Sequence, residues 1–335
     1  MGQPLRGDNP EASAITQRTH SPWTKVAWRH RVSGWRSIVG RPHSSHQEGL
    51  FVLSRRAARN LLCAPVAVLL AVSASGDVQA QGKLEARYTA SLAGIPVGKG
   101  VWVVDVTDDQ YTAAANGKTT GILQVFSGGH GSVAGRGTVN GKPLSSDYAS
   151  TVVVDKRIDT IHIAVNGGNV KDFSAEPQWL PTPDRVPVTD AHRRGVLDPM
   201  SAWLMPVPGN GDTVRPDACR RTLSVFDGRG RFDLTLSFKR MDRVRSERGY
   251  EGPVVVCAVQ YVPIAGHRPN RAAVKYLMAQ RDIEVALAPV AGTRIVVPYR
   301  ISVPTALGPA VLEATQFVTG PRIARPVPTT NAKTF

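Results

Sequence analysis

Long apolar runs, paired histidines and redox-spaced cysteines are missing from most of this chain, and each absence removes a class of function. After Ala80 no segment is long and apolar enough to cross a membrane as a helix. No histidine stands in a His-x-His or His-Glu-x-x-His spacing, so nothing local points to a metal site. Cysteine occurs three times and never as Cys-x-x-Cys, which removes a thiol-exchange pair. Gly-x-Ser-x-Gly, the mark of a strained nucleophile turn, is also absent. Acidic residues are few, 26 against 41 Lys and Arg.

What is present begins with an export signal. Arg55, Arg56 and Arg59 precede the apolar run Leu61–Val72, and small residues then lead to Val78-Gln79-Ala80. A positive region, a short apolar region and an A-x-A-like exit are the three parts of a secretory signal peptide. Residues 55–80 are therefore expected to be removed by cleavage between Ala80 and Gln81, leaving the protein in the periplasm. Ser54-Arg55-Arg56 hints at twin-arginine export, but two arginines are ordinary in any such leader, so that route and the general secretory one both stay open. Cys63 has no small residues before it, which argues against a lipoprotein cysteine. Residues 1–54 are rich in Arg, His, Ser and Trp, with Trp23, Trp28 and Trp35 in no periodic frame. They read as a disordered extension or as the product of a misassigned start codon.

The mature chain, Gln81–Phe335, keeps 31 basic and 22 acidic residues, a net charge of +9. An exported basic protein meets anionic lipid head groups or envelope polymer rather than nucleic acid, and peripheral membrane contact is in keeping with that charge. Only Cys219 and Cys257 survive cleavage. Two cysteines in an oxidising compartment are usually paired, so a structural disulfide is expected, with two free core thiols as the alternative.

The order of elements is almost all strand and turn. The stretch Tyr250–His267 is central: Val254–Val259 is apolar at every position, as in a strand buried on both faces. Strands are expected at Leu84–Ala93, Val101–Val106, Tyr111–Ala115, Ile122–Phe126, Gly131–Val139, Tyr148–Val154, Ile158–Val165 and Val170–Phe173, with Gly94–Gly98, Asn116-Gly117 and Asn140-Gly141 as turns. Prolines 177, 181, 183 and 187 mark a connection. Gly195–Leu204 reads as the one helix, capped by Asp198 with Pro199 in its first turn and Leu197, Met200, Ser201 and Leu204 on one face. Strands resume at Leu223–Phe226, Phe232–Phe238, Val254–Val262, Ala273–Leu277, Ile283–Leu287, Ile295–Val303 and Val311–Val318. So many short strands predict a single mainly-β domain over 81–320, with a loose tail at 321–335. Its fold is a large curved antiparallel sheet or partly closed barrel with one short helix.

Several motifs together carry a family resemblance. They are Leu92–Gly98, Gly195–Ala202, Phe226-Asp227-Gly228, Tyr250–Pro253 with Cys257, Tyr261 with Pro263–His267, and Val297–Ser302. Over roughly residues 84–319 the chain is similar to the domain-of-unknown-function 3108 family of bacterial exported proteins. That resemblance implies an exported β-rich protein and brings no activity or catalytic residues with it. The late strands also look like the open barrels of lipoprotein-carrier proteins, by fold analogy.

No cofactor, metal or catalytic set is expected. Ser201, His267 and Asp198 can be named as a hydrolytic set, but Ser201 falls within the expected helix rather than on a sharp turn. Two functional readings fit the sequence. One is a non-enzymatic envelope binding protein holding a lipid or other apolar ligand in the curved sheet, with Trp203, Tyr261 and His267 at its mouth. The other is a structural or assembly factor of the envelope acting through its basic surface. The export reading is checked by N-terminal sequencing of envelope-fraction protein: the expected first residue is Gln81, and residues found intact before Arg55 would overturn it.

Overall fold

The computed structural model describes residues 81–321, apart from 108, 122–123, 125–127, 140–143 and 180–181. The export segment, the leading 1–54, the Ile122–Phe126 strand for all but Gln124, the Asn140-Gly141 turn and the tail from 322 lie outside these residues. All the described residues belong to one compact unit.

The first half is an antiparallel meander: β1 Gly82–Leu92, β2 Ile95–Thr107, β3 Gln110–Thr119, β4 Gly129–Thr138, β5 Ser145–Val154, β6 Arg157–Asn166 and β7 Asn169–Glu176. Period-two patterning sets the faces. In β1, Leu84, Ala86 and Tyr88 are buried and alternate with exposed Lys83, Glu85 and Arg87. The β1–β2 hairpin turns on Ala93 and Gly94 alone, both at positive φ (50° and 83°). That is the geometry of a two-residue primed turn. Ile95–Gly98, expected as part of that turn, already belongs to β2.

The second half comprises β8 Met205–Pro206, β9 Arg221–Phe226, β10 Arg231–Arg245, β11 Arg248–Gly249, β12 Glu251–Ala265, β13 Glu284–Pro289, β14 Ile295–Val303 and β15 Ala310–Pro321. The last strand pairs with the first along the whole of β1, which joins the two halves into one sheet. Its order is β7-β6-β5-β4-β3-β2-β1-β15-β14-β13-β12-β10-β9, with β8 on β14 and β11 on β15. The sheet is large and antiparallel along this path, and β7 and β9 do not pair to close it.

Segment 194–197 stitches those two edges. Val196 N donates to Gly168 O at 2.8 Å on the β7 side, and Leu197 N donates to Ser224 O at 2.8 Å on the β9 side. Phe226 N returns a bond to Leu197 O at 3.0 Å. Side chains also cross: the Phe173 and Phe226 rings meet edge-on at 5.5 Å, and Arg229 pairs with Asp159 at 2.9 Å. Edge strands that would otherwise offer unpaired backbone groups are thus covered. This corrects the expected helix. Gly195–Leu197 is not helical: Gly195 turns the chain at φ 65°, the Val196 and Leu197 amides serve the two edges, and only α1, Pro199–Trp203, is helical. Leu197 therefore bridges to Val225 instead of sharing a helix face with Met200, Ser201 and Leu204.

A second helix, α2 Ala272–Ala279, replaces the expected strand at Ala273–Leu277. Ala, Lys, Leu and Met are strong helix formers, and no neighbouring strand edge overrides them there. Two helices, not one, are therefore named among the described residues. Asn116-Gly117 is not a turn either; both lie inside β3.

Two apolar clusters meet on β12. Val254 and Val256 enter one with Leu84, Tyr88, Trp102, Tyr299 and Phe317; Val255, Cys257 and Val259 enter the other with Leu223, Leu236, Val285 and Leu287. The both-faces burial read from the sequence is thus what this strand shows. Cys219, ending a 3-10 turn at Pro216–Cys219, bonds to Cys257 with a Cα–Cα distance of 5.4 Å; both are fully buried. The bridge closes a loop spanning 38 positions. In the chain-entropy account such a loop contributes about 3–4 kcal/mol. Thiol counting on denatured, unreduced protein of residues 81–335 is expected to find neither sulfur free. The double variant Cys219→Ala, Cys257→Ala is expected to lose stability of that order in denaturant titration.

Candidate ligand-binding site

The site begins with missing side chains. On the buried face of β1–β3, Tyr88 stands opposite Gly100, which stands opposite Gly117; Ala90 stands opposite Gly98. Trp102 and Ala115 form the next row. Three glycines and two alanines on one buried face leave space that larger residues would fill. Mid-strand glycine at such a place weakens the strand and marks close approach by something else.

What faces this thin patch is α1. A cavity of about 660 Å³ lies there, walled by Trp102, Tyr148, Met200, Trp203, Ile301 and Leu312. Tyr88 closes one side by donating its hydroxyl to Pro298 O at 2.7 Å; burial pushes that hydroxyl's pKa well up. Trp102 Nε1 is buried and finds no hydrogen-bond partner among the described residues. Buried indole N–H groups usually find one.

The position of α1 rests on Asp198, which is fully buried. Its Oδ1 accepts from Met200 N at 2.8 Å and Ser201 N at 3.0 Å, and its Oδ2 accepts from the Ser201 hydroxyl. Ser201 has one proton and gives it to the carboxylate, so Tyr111, 2.7 Å from Ser201 Oγ, is the donor of that bond. Burial, then the charge of Asp198, raises the Tyr111 hydroxyl's pKa, which keeps it protonated for this role. Close packing against β4 is allowed by Gly135: a Cβ there would lie 2.9 Å from Met200 Cγ. The helix is thereby clamped with Met200 and Leu204 in one apolar cluster and Ala202 in the other, while Trp203 packs against both.

The residues named from the sequence separate. Trp203 lines the cavity. Tyr261 lies on β12 and packs against Phe232, ring centroids 5.6 Å apart. His267 follows β12; its carbonyl accepts from Val186 N, its Nδ1 is buried without a partner, and burial lowers its pKa. Neither lines this cavity. Ser201 and Asp198 touch, but among the described residues neither bonds to His267, so Ser201's contacts are a carboxylate and a phenol with no imidazole. His162 bonds to Asp147 at 2.9 Å, and His192 Nδ1 accepts from Thr189 N. Among the described residues no group of three or more His, Cys, Asp or Glu could hold a metal ion. Tyr88, Trp102, Tyr148, Ile301 and Leu312 were missed because they converge from five strands. The glycines at 98, 100 and 117, of which 98 and 117 read as turn residues in the sequence, were a signal that could have pointed to them.

Asp198→Ala leaves two buried amides and a hydroxyl without their acceptor, at a cost of about 2–3 kcal/mol. Ser201→Ala removes one partner and is expected to cost about 1 kcal/mol. Urea midpoints of the two variants check the order.

Comparison with known proteins adds the family. Among solved structures the chain is similar to the crystal structure of a beta-barrel-like protein of domain of unknown function DUF1849 from Brucella abortus, at 10% identity and a TM-score of 0.41, covering 72% of this chain and 98% of that one. No curated protein matches the chain. A match to the family described as Protein of unknown function (DUF3108) runs over residues 87–315, nearly the span the sequence motifs indicated, and the chain belongs to that family.

Proposed function

We propose that this is a non-enzymatic binding protein of the periplasm that holds a lipid or other apolar ligand in the cavity between the glycine face and α1. One observation carries the reading: a 660 Å³ space walled by aromatic and aliphatic side chains, inside the range of small-molecule sites. Filling it with apolar groups is favourable at about 25 cal/mol per Å² removed from water. The unpartnered Trp102 Nε1 supports a ligand that also carries an oxygen acceptor. The export pattern at residues 55–80 supports the compartment.

A specific surface supports the assembly-factor reading as the alternative. Lys99 stands directly opposite Lys118 across β2 and β3, with His130 opposite Lys118 on β4. The two lysines repel, and an anionic surface would relieve them.

The two readings part in one experiment. In mature protein with Trp179→Phe, the emission of Trp102 and Trp203, which both line the cavity, is followed on adding fatty acids and phospholipids of graded chain length. A saturable change is expected, and Ala115→Phe, which fills the cavity, is expected to weaken it at least tenfold. No change in emission with any chain length sinks the binding reading and leaves the basic face as the working surface.

A further inference from the structure

A second cavity, of about 530 Å³, lies at the stitched seam, away from α1. Its walls are β7, the turn after β9, and residues 178–179 and 182–188 of the connection. Phe173, Trp179, Val188 and Phe226 make it largely apolar, while Arg185, Arg193 and Arg229 bring three guanidinium groups to it. Among the described residues no carboxylate lines it.

Aromatic faces set the guanidiniums in place. Arg185 and Arg229 lie over the Trp179 ring at 4.0 and 4.8 Å, and Arg193 lies over Phe173 at 4.5 Å. Stacked this way, an arginine presents its N–H edge sideways. Arg229 is already committed: its side chain is 9% exposed and bonds to Asp159 and to Pro177 O. Arg193 pairs with the exposed Asp190 through one terminal nitrogen. Arg185 donates to Gly266 O and has no ion-pair partner among the described residues. The Nε atoms of Arg185 and of Arg193 find no hydrogen-bond partner among the described residues. Two half-buried guanidinium groups with donors left over line one cavity, and such charge is costly unless something accepts from it. Burial first, then the nearby charge of Arg268, holds the Arg185 guanidinium below the ordinary arginine range.

We propose that the seam cavity is a second binding site, for a small organic anion whose carboxylate or phosphate meets Arg185 and Arg193 and whose apolar body packs between Phe173, Phe226 and Trp179. An anion supplies the missing acceptors and offsets the crowded positive charge. The apolar walls select against a bare inorganic ion. This site is independent of the lipid reading and stands or falls separately.

Isothermal titration of the mature protein tests it with four probes: phenyl phosphate, benzoate, inorganic phosphate and benzyl alcohol. At least one of the first two is expected to bind one to one. Benzyl alcohol and inorganic phosphate are each expected to bind at least tenfold more weakly than it. Arg193→Gln and Arg185→Gln are each expected to weaken that binding at least tenfold, while Arg220→Gln, on an exposed pair with Asp217, leaves it unchanged. Should Arg185→Gln fail to fold, Arg193→Gln decides. Preference between phenyl phosphate and benzoate assigns the head group. The proposal is overturned if neither organic anion binds, if benzyl alcohol or inorganic phosphate binds as tightly as either, or if Arg193→Gln binds like the unaltered protein.

Discussion

A thirteen-strand path that does not pair its ends leaves two rows of backbone donors and acceptors in need of partners, and the rest of this molecule is arranged around that need. Four residues, Arg194–Leu197, run between the edges and bond to both. Because Val196 and Leu197 are held by those edge bonds, the helix starts at Pro199, immediately after the seam. Asp198 is the hinge between the two conformations. It sits fully buried at the end of the stitch and accepts from the first amides of α1. The seam thus decides where Met200 and Trp203 point, and so decides one wall of the apolar cavity.

The same seam explains the arginines. Arg229 reaches from the β9–β10 turn to Asp159 on β6, so an ion pair joins strands that are far apart in sheet order. An isolated surface pair is worth little, but this one is largely covered and is accompanied by carbonyl acceptors. Trp179 then stacks between Arg185 and Arg229. Asp159 is therefore part of a joint, whereas in isolation it looks like a solvated charge near the end of a strand.

Two strands in from the β9 edge, β12 is the strand that both apolar clusters share, and the disulfide ties the segment before β9 to it. Its run of valines leaves no polar face to show solvent, so both sides have to be covered. That was legible in the residues. Gly100 and Gly117 were harder to read. Asn-Gly is a strong local hairpin signal, yet tertiary pairing held Asn116-Gly117 in mid-strand, opposite Gly100. Glycine serves a tight turn and a thin sheet face equally well, and local sequence does not distinguish the two uses.

By itself the sequence determined the antiparallel β character, the twofold burial of β12, the Asp198 cap with Pro199 behind it, the family and the two cysteines available for pairing. Each follows from patterns a few residues long: period two, a cap beside a proline, a short motif, a residue count. Only the tertiary structure decided which edges face each other, that Gly195–Leu197 is a stitch and not a helix turn, that Ala272–Ala279 is a helix, and that Trp203 shares a cavity with Tyr88, Trp102 and Tyr148 and not with Tyr261 or His267. Those facts depend on strand order and register over separations as large as the 210 positions between Tyr88 and Pro298. Local propensity carries no record of such pairings, because each is set by burial summed over the whole sheet.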